Sequence, residues 1–181
     1  MNPISWPIDE RTVVRTLALD DAELVYRAID QNRDRLRPYM PWEQTTRSPD
    51  DVRAFIERSL LSPTDEDAYG IWVAEEFAGS VGLRVDTLMN GGEIGYWVAG
   101  AFEGQGLVTT ACRRLIDHGF RDRKLHRIEI HAAADNLRSR AVAERLGFVH
   151  EATTRDGHRK ADGTYVDQVA YGILEHEWVA T

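Results

Sequence analysis

The chain has only one cysteine, Cys112. A single thiol closes no intrachain disulfide and makes no zinc site, which excludes a disulfide-stapled scaffold. No apolar run approaches the roughly 18 residues a membrane-spanning helix needs. The opening residues Met1–Pro7 lack a basic stretch followed by an apolar one, so no secretory leader is expected and a cytoplasmic setting is. The six histidines (118, 126, 131, 150, 158 and 176) show no HExxH or other ligand spacing, so no metal is expected. Positive charge is in deficit. With 22 Lys and Arg against 30 Asp and Glu, the formal charge is −8 and the pI near 5.2, which argues against a nucleic-acid or anionic-membrane surface. There is no GxSxG elbow for a Ser-His-Asp hydrolase. No repeat, low-complexity tract or dividing linker interrupts the 181 residues, so one domain over 1–181 is expected.

What is present reads as strands and helices in alternation. Val13 to Leu17 is a strand, and Asp20 can cap a helix over 21–30. Residues 33–42 mix charge, proline and aromatics, giving a short helix and then a loop. Ser48-Pro49-Asp50-Asp51 starts another helix, with Val52, Phe55, Ile56 and Leu60 as its buried stripe. Pro63 to Asp67 is a polar connection. Strands are expected at about 69–75, 78–86 and 93–99, with Asn90-Gly91-Gly92 as a turn. Residues 126–132 alternate between two faces. A helix follows from Asp135 or Asn136 to Leu146, ended by Gly147, and two strands at about 148–155 and 165–174 flank a turn near Asp162-Gly163. The pattern is that of an α+β domain with a mixed sheet.

Residues Gly104-Gln105-Gly106-Leu107-Val108-Thr109 stand out. They follow the apolar run Ile94–Ala99 and open a segment with apolar or small residues at 108, 111, 112, 115, 116, 119 and 120, which is helical spacing. A strand, a glycine turn and a helix start aim free N–H groups and the positive dipole end at one point, a geometry that binds phosphate. An ordinary strand-to-helix connection is the competing reading. Leu107 and Val108 stand where a nucleotide P-loop has Lys and Ser or Thr, so ATP or GTP hydrolysis is not expected, and no GxGxxG is present. Cys112 falls on the apolar side of this helix and reads as packing.

Three motifs in order carry a resemblance: Glu93-Ile94-Gly95-Tyr96-Trp97-Val98, then Glu103-Gly104-Gln105-Gly106-Leu107-Val108, then Asn136-Leu137-Arg138-Ser139 ending in Leu146-Gly147-Phe148. Together they resemble the GNAT acyltransferases. The stretch Arg35–Trp42 and the ending Tyr165–Tyr171 resemble more narrowly the RimJ/RimL branch, which acetylates protein N-termini, notably of ribosomal proteins. The resemblance spans about residues 11–178. It implies a GNAT fold, with a mixed, mostly antiparallel central sheet of about seven strands flanked by helices. It also implies acetyl-CoA as donor, its pyrophosphate on the N–H groups of Gln105, Gly106, Leu107, Val108 and Thr109. Backbone of Trp97, Val98 and Ala99 would bind the pantetheine arm and polarise the acetyl carbonyl, and Asn136 would bind the cofactor.

Ser139 is the candidate acid for the departing thiolate, against a purely helix-capping role. For the base, His158 and Glu93 stand as rivals, since histidine titrates near neutrality and Glu93 can act through a water. Tyr39 and Trp42 would wall the acceptor pocket, and Glu43 would bind a substrate ammonium. The acceptor is a protein N-terminal amine by resemblance to the branch. A small-molecule amine (amino acid, polyamine or antibiotic) and a non-catalytic acyl-CoA sensor or assembly subunit are the alternatives. Homodimers occur in the branch. Two positions depart from the family's Gln/Arg-x-x-Gly-x-Gly/Ala pattern. Glu103 places negative charge near an anion unless its side chain points away, and the branched Val108 narrows the approach. Both favour weaker cofactor binding.

Overall fold

The computed structural model describes residues 4–61 and 66–179. Among these residues eight strands form one sheet: β1 Ser5–Pro7, β2 Thr12–Thr16, β3 Glu66–Val73, β4 Glu76–Asp86, β5 Gly91–Val98, β6 Arg127–Ala133, β7 Val149–Arg159 and β8 Tyr165–Leu174. Their order is β1-β2-β3-β4-β5-β6-β8-β7, and every pairing is antiparallel except β5 with β6. That parallel pair is short. It runs from Gly91↔Arg127 to Glu93↔Glu129, after which β5 continues to Val98 and β6 to Ala133 without pairing. The two strands therefore splay apart in the middle of the sheet.

Among the described residues five helices cover the two faces: α1 Ala22–Gln31, α2 Arg33–Leu36, α3 Pro49–Leu61, α4 Leu107–Arg121 and α5 Leu137–Arg145. Alternation along the strands separates two cores. Ile71, Ile94, Ile128 and Ile130 pack with Ala111, Leu115 and Ile116 of α4, while Trp72, Phe77 and Trp97 pack with Val25 and Ile29 of α1 and Val52 and Ile56 of α3. Burying each such side chain contributes roughly 1.5–3 kcal/mol before entropy is counted. On β5 this parity sends Ile94 and Tyr96 toward α4, and Glu93 and Trp97 toward α1 and α3.

Local chemistry sets the helix starts. For α3 the capping box is reciprocal: Asp51 N–H donates to Ser48 Oγ at 3.3 Å and Ser48 N–H donates to Asp51 Oδ2 at 2.9 Å. Asn136 caps α5 by accepting the Ser139 N–H at 3.2 Å, and Gly147 follows the helix at φ +85°.

Several expectations need correction. The N-cap position of α1 is Asp21, not Asp20, and its side chain secures the 3-10 turn Leu19–Asp21 that leads into the helix. Its carboxylate accepts the Ala18 N–H at 2.8 Å and two hydrogen bonds from Arg15. Leu60 is 45% exposed and lies outside the buried stripe of α3. Gly91 and Gly92 belong to β5, and the turn before them is Thr87–Asn90, with Asn90 at φ +50°. Strand β1 was not anticipated, because three residues ending in proline carry no periodicity. Of the expected connection at 63–67, residues 63–65 lie outside the described residues, and 66–67 begin β3.

Candidate active site

The glycine turn is built as an anion cradle. Beyond β5 the chain makes a 3-10 turn at Gly100–Phe102, and then Gly104 and Gly106 both take φ +75°. This left-handed backbone costs a non-glycine residue about 1–2 kcal/mol. Gly106 is the N-cap of α4, and no side chain caps it. Among the described residues, no hydrogen bond engages the N–H groups of Gln105, Gly106, Leu107, Val108 or Thr109; the first helical bond is Thr110 N–H to Gly106 O at 3.0 Å. The Val108 side chain packs against the core instead of crowding the turn. Glu103 is held to one side by Arg35 and by Arg138, whose Nη1 lies 2.6 Å from Glu103 Oε2. The hydrogen bond from Arg35, with Arg138 beside it, keeps this carboxyl below its ordinary value, so the group is charged and neutralised in place. Neither side chain therefore projects into the turn itself.

The β5 backbone beside the splay is only partly available. Ala99 N–H donates to Ala78 O at 2.8 Å. The β4–β5 ladder has no register shift, so antiparallel alternation turns Trp97 N–H toward Ser80 as well. Of the three expected donors, Val98 alone directs its N–H into the opening where β6 has diverged. Trp97 contributes its ring instead.

A cavity of about 750 Å³ opens along the splay. Tyr39, Trp42, Phe55 and Trp97 form its apolar wall, with the Trp42 and Trp97 ring centroids 6.2 Å apart. Glu93, His131, His158, Asn136 and Ser139 also line it. Glu93 is ion-paired with Arg84, and His131 Nδ1 is 3.8 Å from its carboxylate. His158 reaches the cavity because β7 bulges: Thr154 pairs with Gln168 and His158 with Val166, so two extra residues stand on β7, with Asp156 at φ +53°. Its Nε2 is buried and makes no hydrogen bond among the described residues.

Ser139 meets a partner that sequence reasoning missed. The Tyr96 hydroxyl lies 2.9 Å from Ser139 Oγ and 3.0 Å from Ser139 O. Burial pushes the Tyr96 phenol well above its ordinary value, so it stays protonated as a donor. Cys112 is fully buried, and burial likewise pushes its thiol up, as a packing residue requires. Glu43 does not line this cavity. It is 1% exposed, with Oε1 2.8 Å from Arg33 Nη1 and Oε2 3.2 Å from Arg37 Nε, so its charge is buried and already matched by two arginines.

These residues fit acetyl-CoA: a turn of unengaged N–H groups, a Val98 donor facing the opening, and the Asn136 amide nitrogen without a partner among the described residues. A helix start of this kind beside a splayed parallel pair and a polar-aromatic cavity suits a donor with a phosphate-bearing end on the turn and a reactive end in the cavity, as an acyltransferase requires. The chain belongs to the GNAT acetyltransferase family: the profile described as "Acetyltransferase (GNAT) domain" matches residues 11–149. It is an acetyl-CoA-dependent N-acetyltransferase.

The putative ribosomal N-acetyltransferase YdaF of Bacillus subtilis (strain 168) is 35% identical over 175 residues, 94% of this chain and 95% of its own. The ribosomal-protein-serine acetyltransferase of Escherichia coli (strain K12) is 28% identical over 147 residues, 80% of this chain and 82% of its own. Among solved structures, the microcin C7 self-immunity acetyltransferase MccE in complex with acetyl-CoA and AMP matches with a TM-score of 0.84 and 28% identity, over 92% of this chain and 93% of that one. No helix among the described residues is long and apolar enough to cross a membrane.

Proposed function

We propose that the enzyme acetylates a protein N-terminal α-amine, of the ribosomal-protein kind, by direct attack of the amine. One observation carries the chemistry. A single cavity holds Ser139 with Tyr96 on the α5 side, and Glu93 and His158 on the acceptor side. The acceptor class is supported by the similarity to YdaF and to the ribosomal-protein-serine acetyltransferase.

When bound, acetyl-CoA supplies an activated acetyl thioester. The acceptor ammonium gives its proton to His158 or, through a water, to Glu93. The amine forms the C–N bond as the C–S bond breaks, the nitrogen sheds its second proton to Ser139, and Ser139 passes its own proton to the departing sulfur, which leaves as the thiol. The Val98 N–H faces the place where negative charge grows on the carbonyl oxygen. Asn136 and the turn at 105–109 hold the donor, and Tyr39 and Trp42 wall the acceptor. Glu43 fixes the loop that carries them. A cytoplasmic, single-domain, self-associating enzyme completes this reading.

The test is acetyl transfer from labelled acetyl-CoA to short peptides with varied N-termini, run beside amino acids, polyamines and antibiotic amines. Preference for peptides by kcat/KM supports the proposal, and preference for a small amine replaces it with a small-molecule acetyltransferase. With the preferred acceptor, Glu93→Gln or His158→Ala should lower kcat by about 100-fold with little change in acetyl-CoA affinity. Full turnover in both variants would remove both base candidates.

A further inference from the structure

Glu103 and its two arginines have an arrangement that the transfer chemistry does not use. Glu103 follows β5 and directly precedes the glycine turn, while Arg138 is the second residue of α5, which follows β6. Their contact therefore ties together the two arms of the splay at its mouth. Arg35 reaches the same carboxylate from α2, and both guanidiniums contact one oxygen, Oε2. Arg35 is steered there by a close approach. It lies across Gly100, where a Cβ would stand 3.0 Å from its Nε, and Gly100 N–H donates to Asn32 Oδ1 at 2.8 Å. A third arginine, Arg145, donates to Thr109 Oγ1 in the first turn of α4 at 3.0 Å. Three guanidiniums and one carboxylate thus surround a turn of unengaged N–H groups, an island of positive charge in a chain of net −8.

We propose that Glu103 is a placeholder anion: in the free enzyme its carboxylate holds Arg35 and Arg138 at the mouth of the splay, and the phosphates of acetyl-CoA take both arginines over from it. The exchange is energetically cheap. The side chains are half to largely exposed, at 48% for Arg35 and 78% for Arg138, where an ion pair is worth about 0–1 kcal/mol. A phosphate offers each guanidinium a bidentate partner of higher charge, and the helix start favours the same anion. Glu103, 29% exposed, turns to water when released. The family's usual Gln or Arg at this position competes for nothing. Glu103 instead keeps the two arginines ordered at the expense of affinity.

The inference rests on the cofactor and not on the acceptor, so the experiment uses binding alone. The full chain and its Glu103→Gln, Arg35→Ala and Arg138→Ala variants are titrated calorimetrically with CoA, and with pantetheine as a phosphate-free control. Losing two exposed ion pairs in competition with the ligand should tighten CoA binding by about two- to tenfold in Glu103→Gln, and each arginine variant should weaken it by a similar factor. Pantetheine affinity should move in none of them. An unchanged or weaker CoA affinity in Glu103→Gln overturns the proposal. So do arginine losses that appear equally with pantetheine, since those report a displaced segment. Glu103→Gln keeps shape and exposure, so its folding is not at issue, and a failed peptide-acetylation assay leaves this result standing.

Discussion

Ser139 and Tyr96 are separated by 43 residues, yet the Tyr96 hydroxyl reaches both the Oγ and the carbonyl oxygen of Ser139, which decides what each can do. The hydroxyl of an isolated serine rotates, whereas this one is held between the phenol and the cavity. Ser139→Ala should lower turnover by about 100-fold if the hydroxyl delivers the proton. Tyr96→Phe should lower it less, and the double variant should match Ser139→Ala alone, because the phenol acts through the serine. Rates across the pH range check this, and an unchanged Ser139→Ala profile ends its acid role. The sequence made Ser139 legible through Asn136-x-x-Ser139. It hid Tyr96, because a tyrosine on an alternating strand reads as core and its partner lies in another motif. Glu43 misled for the opposite reason. Beside Trp42 it looked like a pocket residue, yet Arg33 and Arg37, one helical turn apart, were the signal that its charge was already matched.

At the scale of elements, helix α4 was fully legible. All seven residues at 108, 111, 112, 115, 116, 119 and 120 are buried or half-buried, because helical period and burial coincide. The backbone donors of β5 were not legible, since the parity of a ladder depends on which strand lies alongside. The turn joining β5 to α4 gives a sharp expectation. Gly106→Ala meets open space but a left-handed φ, so it should destabilise by about 1–2 kcal/mol. It should also weaken CoA binding by re-aiming the N–H groups. Thermal unfolding and calorimetric titration measure the two effects separately, and an unperturbed CoA affinity would detach the turn from the cofactor.

For the whole molecule, the central sheet was legible as mixed and mostly antiparallel, but the point where its parallel pair parts was not. The β5–β6 pairing ends at Glu93↔Glu129, and the cavity follows from that ending. Stability should depend on acid in a definite sense. Burial raises the carboxyls of Asp21 and Glu43, but hydrogen bonds from Arg15 and Ala18, and from Arg33 and Arg37, outweigh it and hold both below their ordinary values of 3.8 and 4.5. A group depressed in the folded state stabilises above its unfolded pKa and loses that contribution as pH falls through the folded one. The protein should therefore keep its stability down to about pH 4.5 and lose it progressively below. Glu43→Gln should flatten that decline and lower neutral-pH stability by about 1–3 kcal/mol, as chemical denaturation across pH would show. The bulge that aims His158 has a further consequence at this scale. Strand β7 lies at the rim of the sheet with 11 residues and almost no cover, a template on which a foreign strand could assemble. Two surplus residues and the left-handed Asp156 break its hydrogen-bonding edge into shorter lengths, so the distortion that carries His158 to the cavity also discourages fibrillar stacking.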